Sequence, residues 1–212
     1  MGNRLLSLFW IGLFLTSLTA IAGGDCPPAV HTPGQFGPFD YNNPDNKGQN
    51  LNLVESAHFT PEVESLIRGH SSYIGSDLDY TLRAFPNHPR ALNAMARLAI
   101  QEKTPTPRGA HFSVECYFSR AIEFTPSDPI PYLLYGNYLA KNSREQEALE
   151  KYQQAEKIDP QNANVLYNMG LLFFNMKQYD QSLAYAKKAY AAGFPLPGLR
   201  QKLVGAGQWK ED

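Results

Sequence analysis

The sequence predicts an all-α protein, a short solenoid of paired helices preceded by an irregular N-terminal arm. Two observations carry this reading. One 34-residue unit recurs in register: Tyr132, Tyr135, Gly136, Leu139, Ala148, Tyr152, Ala155 and Pro160 are echoed by Leu166, Met169, Gly170, Phe173, Ser182, Ala186 and Ala189, with Pro195 one place late. The apolar residues inside each unit fall at i, i+3, i+4 and i+7, which is one face of a helix. A helix pair of this size cannot bury its apolar face alone, so such units stack.

The chain has 212 residues and a formal charge of −1. That length supports one domain with a real core. Near-neutral charge without a Lys/Arg cluster argues against a nucleic-acid surface.

Residues 1–22 read as a signal peptide. Arg4 precedes an apolar run from Leu5 to Leu18, and Ala20-Ile21-Ala22 is an A-x-A cleavage site. The run falls short of the about 20 apolar residues of a membrane span. Cys26 suggests lipidation, but Gly24-Asp25 before it is the wrong context. With no second apolar run, no membrane span is expected after cleavage. Export makes a disulfide the expected state of the two cysteines, Cys26 and Cys116.

Residues 23–57 read as the irregular arm. Pro27-Pro28, Pro33-Gly34, Gly37-Pro38 and Asn42-Asn43-Pro44 break any period. Phe36, Phe39 and Tyr41 would pin it to the domain, since disordered tails are poor in aromatics. Residues 58–88 read as a degenerate capping helical pair. Thr60-Pro61 opens its first helix, with a stripe at Val63, Leu66 and Ile67; its second runs from about Ser72 to Phe85. Residues 89–128 are a unit interrupted by an inserted loop at 103–109, where Pro105, Pro107 and Gly109 forbid helix. Insertions of this kind often lie on the binding face; a plain surface loop is equally compatible. Regular units follow at 129–162 and 163–196. Residues 197–212 supply a C-terminal capping helix and tail, with Lys202, Lys210, Glu211 and Asp212 giving the polar outer face an end cap needs.

From Leu92 to Pro195 the chain resembles a tetratricopeptide-repeat protein, on the residues named above together with Leu92, Met95, Ala96, Ala99, Val114, Phe118, Ala121 and Pro126. The strings Gly37-Pro38-Phe39-Asp40-Tyr41 and Leu78 to Pro89 are similar to a group of envelope proteins of Gram-negative bacteria. The first resemblance implies protein binding through a concave groove lined by the first helices. The second implies the periplasm, with secretion an alternative. Template positions facing the groove hold Arg90, Asn93 and Arg97 in one unit. The next two units place Asn137 and Lys141, then Asn164, Tyr167, Leu171, Phe174 and Asn175, in the same slots. The amides and cations could hold a peptide backbone or carboxylate. Leu171 and Phe174 either meet the ligand or are covered by the C-terminal helix. Only Asn137 and Lys141 fit the two-Lys, two-Asn carboxylate clamp of some relatives.

Two functions fit: a non-enzymatic exported adaptor that binds a protein or peptide through this groove, or an accessory subunit of an envelope assembly held through its arm and end faces. No cofactor and no metal are expected. Asp77-Leu78-Asp79-Tyr80-Thr81 matches the D-x-D-x-T string of haloacid-dehalogenase-like phosphatases, but that chemistry needs a buried strand end. On a helix these are expected to be first-turn acids favoured by the macrodipole. Asp40-x-Asn42 with Asp45 lacks the glycine and final acid of a calcium loop. The five histidines show no ligand spacing. Cys116 sits about 160° from the stripe of Val114, Phe118 and Ala121 at 100° per residue. It therefore faces outward, where Cys26 could staple the arm. Such a bridge closes a loop of about 90 residues, for which chain entropy gives roughly 4–5 kcal/mol as an upper figure.

Overall fold

A computed structural model describes residues 26–210. The segment 1–22 read as a signal peptide, the first arm residues and the Glu211–Asp212 end lie outside the described residues. The elements are α1 (Gln49–His58), α2 (Pro61–Glu64), α3 (Ile74–Ala84), α4 (Pro89–Glu102), α5 (Val114–Phe124), α6 (Pro129–Lys141), α7 (Glu145–Ile158), α8 (Ala163–Asn175), α9 (Tyr179–Ala191) and α10 (Gly198–Gly205). No strand occurs among the described residues. No helix there is long and apolar enough to cross a membrane.

The repeat shows first in the backbone turns. The first helices α4, α6 and α8 each end beside a left-handed residue that is not glycine: Lys103, Ser143 and Lys177, with φ of 54°, 58° and 60°. Behind each, a backbone N–H returns to the helix's last turn: Thr104 to Ala99, Arg144 to Leu139 and Gln178 to Phe173, at 2.9–3.1 Å. This satisfies carbonyls that a helix end leaves open. The second helices α3, α5 and α7 also end alike, at Phe85, Thr125 and Asp159, with φ between −132° and −135°. The next helix is then capped three residues on, by His88, Asp128 or Asn162. His88 caps through Nδ1, which accepts from the Ala91 N–H. The proton must therefore sit on Nε2, which donates to Glu55 at 3.0 Å.

Stacking then builds one core. Buried apolar side chains run without a break from Phe59 through Met95, Phe118, Leu139 and Tyr152 to Met169 and Phe173. Gly136 lets α6 and α7 close, and Gly170, 34 residues on, makes room for α10. A Cβ at Gly136 would overlap the Tyr152 ring, and one at Gly170 would meet Leu199 Cδ2 at 2.5 Å. The C-terminal end is closed by α10, whose Leu199 and Leu203 are fully buried. They pack with Tyr167, Leu171 and Phe174.

The N-terminal third differs from expectation in three places. The arm is not irregular throughout, because Gln49–His58 is helical. Leu51 and Val54 sit one turn apart and bury against Ala84 and Phe85. Packing on α3 outweighs the poor helix propensity of the asparagines. The first helix of the degenerate pair is a single turn, Pro61–Glu64, because Leu66 turns left-handed at φ 59°. Val63 is buried while Ile67 is 71% exposed, so the expected stripe is broken. The second helix begins at Ile74, not Ser72. It is α1, not α2, that lies along α3 as the partner of a pair.

The arm before α1 is tied to the second-helix side. A disulfide joins Cys26 to Cys116, 90 residues on. The Arg120 guanidinium donates to the Pro27 and Pro28 carbonyls. The Phe39 N–H bonds to the Ala84 carbonyl at 2.8 Å, and Phe36, Phe39 and Tyr41 cover Phe85. The inserted segment is also packed down. Pro107 is buried, the Glu102 carboxylate accepts the Arg108 N–H, and the Arg108 guanidinium lies 3.9 Å over Tyr73.

Gly136→Ala should cost about 1–3 kcal/mol, because the Tyr152 ring is buried and cannot yield. Gly170→Ala should cost less than Gly136→Ala. Its obstacle is the tip of one buried leucine, Leu199, rather than an aromatic ring, and alanine regains up to about 1 kcal/mol of helix propensity. Urea unfolding of the two variants checks the difference.

Candidate functional site

The first helices α4, α6 and α8 lie side by side. Between them runs a groove of about 420 Å³, lined by Asn93, Asn137, Ala140, Lys141, Tyr152, Asn168, Leu171, Leu172 and Asn175. Asn93, Lys141 and Asn175 are exposed, one on each helix. Asn137 is held in place, since its Oδ1 accepts from the Tyr152 hydroxyl at 2.7 Å. Burial raises the Tyr152 phenol above its ordinary value, so it stays a donor. The groove therefore offers four carboxamides and one ammonium over a leucine floor. Carboxamides both donate and accept, which suits an amide backbone.

Five of the ten expected groove residues meet here: Asn93, Asn137, Lys141, Leu171 and Asn175. The others do not. Arg90 forms a two-pronged pair with the Glu64 carboxylate at 2.8 and 2.6 Å. Arg97 donates to the Glu64 carbonyl at 3.3 Å. Both are drawn onto α2, which lies against α4. Tyr167 stacks on Phe194 at 3.7 Å, and Phe174 packs into the cluster under α10 with Lys202 over its ring. Asn164 is exposed at the start of α8, where its carbonyl accepts from Asn168. Tyr152 and Asn168 line the groove without occupying the template slots. Tyr152 is a signature position of the repeat, read there as core rather than groove, and Asn168 is an amide one turn beyond Asn164 that is visible in the sequence.

The D-x-D-x-T string lies on α3. Its carboxylates are not surface first-turn acids: Asp77 is 0% and Asp79 1% exposed. Asp77 accepts from His70 N–H at 2.7 Å and Ser71 hydroxyl at 2.8 Å, and pairs with His58 Nδ1 at 3.0 Å. Asp79 accepts from Tyr117 hydroxyl at 2.5 Å, Arg83 at 2.9 Å and His111 Nδ1 at 2.8 Å. Burial by itself would raise the Asp77 carboxyl, but the bonds from His58, Ser71 and His70 hold it below its usual range. The two acids thus point in opposite directions as structural hubs. Asp77 gathers the chain before α3, and Asp79 gathers α5 and the end of the inserted segment. Among the described residues, no group of three or more His, Cys, Asp or Glu converges as metal ligands would.

A family model described as "TPR repeat" matches residues 136–177. The chain carries tetratricopeptide repeats. Among solved structures, a MamA protein is similar with a TM-score of 0.52 at 14% identity, covering 76% of this chain and 85% of its own. PilF of Pseudomonas aeruginosa is similar with a TM-score of 0.52 at 18% identity, covering 74% of this chain and 67% of its own. No curated protein sequence matches significantly. Repeats of this type are in general scaffolds for protein contacts rather than catalysts.

Asp77→Asn should destabilise the protein by about 3 kcal/mol or more, because an amide cannot accept from His70 and Ser71 as a carboxylate does. A carboxyl depressed in the native state stabilises above the ordinary carboxylate range, and that contribution is lost as pH falls through its native value. The gap between wild type and variant should be full above about pH 5 and shrink toward pH 3. Urea unfolding across that range measures it.

Proposed function

We propose that this protein is a non-enzymatic exported adaptor that holds a protein or peptide in the groove of α4, α6 and α8. One observation carries the reading: exposed Asn93, Lys141 and Asn175, on three successive first helices, share one groove with a leucine floor. The amides fit a peptide backbone, Lys141 a carboxylate, and Leu171 an apolar side chain. The reading of residues 1–22 as an export signal, together with the Cys26–Cys116 bridge, supports the periplasm. A second reading, an accessory subunit of an envelope assembly, is favoured by apolar residues at the two ends. Leu53 and Ile67 are 56% and 71% exposed at one end, and Leu196 and Val204 are 61% and 56% exposed at the other.

Photo-crosslinking side chains placed at Asn93 or Asn175, and separately at Leu53 or Val204, distinguish the two readings. The adaptor reading expects a defined protein adduct from the groove positions in the native host. It expects the adduct to fall at least about tenfold when Lys141→Ala is combined with alanine at the unlabelled groove asparagine, a loss equal to about 1.4 kcal/mol. The melting temperature should hold within 2–4 °C, as surface substitutions allow. Adducts from the end positions alone would sink it and support the accessory subunit.

A further inference from the structure

The first stretch of the arm is held differently from the rest of the chain. From Cys26 to Gln35 every residue is exposed except Ala29 and Gln35, which are half-buried. The main core contains no residue before Phe59, and the first arm residue to join an apolar cluster is Phe36. Among the described residues, the covalent and polar ties from this stretch to the repeats are few. They are the Cys26–Cys116 bridge, the Arg120 bonds to the Pro27 and Pro28 carbonyls, and a 3.4 Å bond from the Gln35 amide to the Arg83 carbonyl.

The two ends of the bridge are unequal. Cys26 is exposed, so a thiolate in solution can reach it. Cys116 is buried in the first turn of α5, where its N–H donates to the Ser113 hydroxyl. A helix N-terminus and a neighbouring guanidinium both favour a thiolate over a thiol. Arg120 lies one turn further along α5 and reaches the carbonyl of Pro27, next to Cys26. It is 6% exposed, and its Nε–H is buried without an acceptor. A buried donor left unpaired calls for an explanation. The nearby acids are engaged elsewhere: Asp79 accepts from Tyr117, Arg83 and His111, and Glu115 accepts from Arg144 and Tyr135. Glu123 acts on Arg120 through space without bonding to it. A thiolate at Cys116 would supply the anion that Arg120 lacks.

We propose that the Cys26–Cys116 bridge is a redox latch: a thiol reductant opens it while the repeats stay folded, which frees residues 26–35 and leaves Cys116 as a thiolate beside Arg120. A reductant thiolate bonds the exposed Cys26 sulfur, and the Cys116 sulfur leaves with the electron pair of the broken bond. A second reductant thiol then attacks the mixed disulfide and releases Cys26, which takes a proton. The other proton goes to solvent, the two reductant sulfurs end as a disulfide, and two electrons have passed to the protein. The leaving sulfur is the stabilised one, which speeds exchange in this direction. Release takes Pro33, Gly34 and Gln35 away from a cavity of about 360 Å³ over Tyr80 and Arg83, and takes the Pro27 and Pro28 carbonyls from Arg120. Reduction thus bares two guanidiniums, one on α3 and one on α5. The latch is independent of the groove.

The test equilibrates the oxidised full chain, without denaturant, in glutathione buffers of rising reduced fraction, followed by alkylation and intact mass. Structural bridges resist such buffers. Here both cysteines should be alkylated, with circular dichroism unchanged and faster amide exchange at Val30 and Gln35, whose N–H groups bond within the arm. A bridge that stays closed in excess reduced glutathione and opens only in urea is a plain staple and overturns the proposal. Loss of helicity on reduction overturns it too, because the bridge then holds the repeats themselves. In Cys26→Ser, alkylation of Cys116 should titrate at least about one pH unit below the ordinary cysteine value of about 8.5, and adding Arg120→Gln should move it back up. Titration at the ordinary value, or no response to Arg120→Gln, would rule out the thiolate pairing.

Discussion

Each helix pair here has an apolar face that only its neighbour can cover, and the rest of the structure answers that constraint. The turns that end α4, α6 and α8 are alike: each carries a left-handed residue and a returning N–H that satisfies a carbonyl of the helix's last turn. Gly136 is present because the ring of Tyr152 must come within contact of the partner backbone. The same ring reaches across to fix Asn137, so one buried tyrosine joins the core to the groove. The groove is thus a by-product of stacking: its three walls are set by the contacts behind them.

A finite stack leaves two faces open, and the ends solve this differently. At the C-terminus a short amphipathic helix buries Leu199 and Leu203 on α8 and α9. At the N-terminus the cover is an assembly of α1, the single turn α2, the arm and the inserted segment. It is joined through α3 by two buried carboxylates. Burying a charge is costly, and each carboxylate here is surrounded by donors drawn from segments far apart in sequence. The disulfide and the Arg120 bonds to Pro27 and Pro28 then hold the arm along α5.

What the sequence revealed follows from this division. The units at 129–162 and 163–196 were legible because packing repeats: the same apolar slots and the same glycine recur 34 residues apart. Helix α1 was not legible. Its Leu51 and Val54 are spaced correctly, but asparagine and glycine surround them, and only the Phe85 surface makes the helix worthwhile. The roles of Asp77 and Asp79 were hidden for the same reason, since His58, Ser71, His111 and Tyr117 are brought to them by the fold. Template positions gathered Asn93, Asn137, Lys141 and Asn175 on one groove. They failed for Arg90 and Arg97 because α2, outside any repeat, presents Glu64 to both. They failed for Tyr167 and Phe174 because the end cap takes what an interior unit would leave to a ligand.

Native-state amide hydrogen exchange measures the central claim, that stacking between units rather than the single unit is what holds the chain. If it is right, the slowest amides of α4, α6 and α8 exchange with one common opening free energy, while the arm and α10 open at lower cost. A distinctly lower opening free energy for α8 and α9 than for α4 and α6 would show a unit that opens without its neighbours, and would contradict the account.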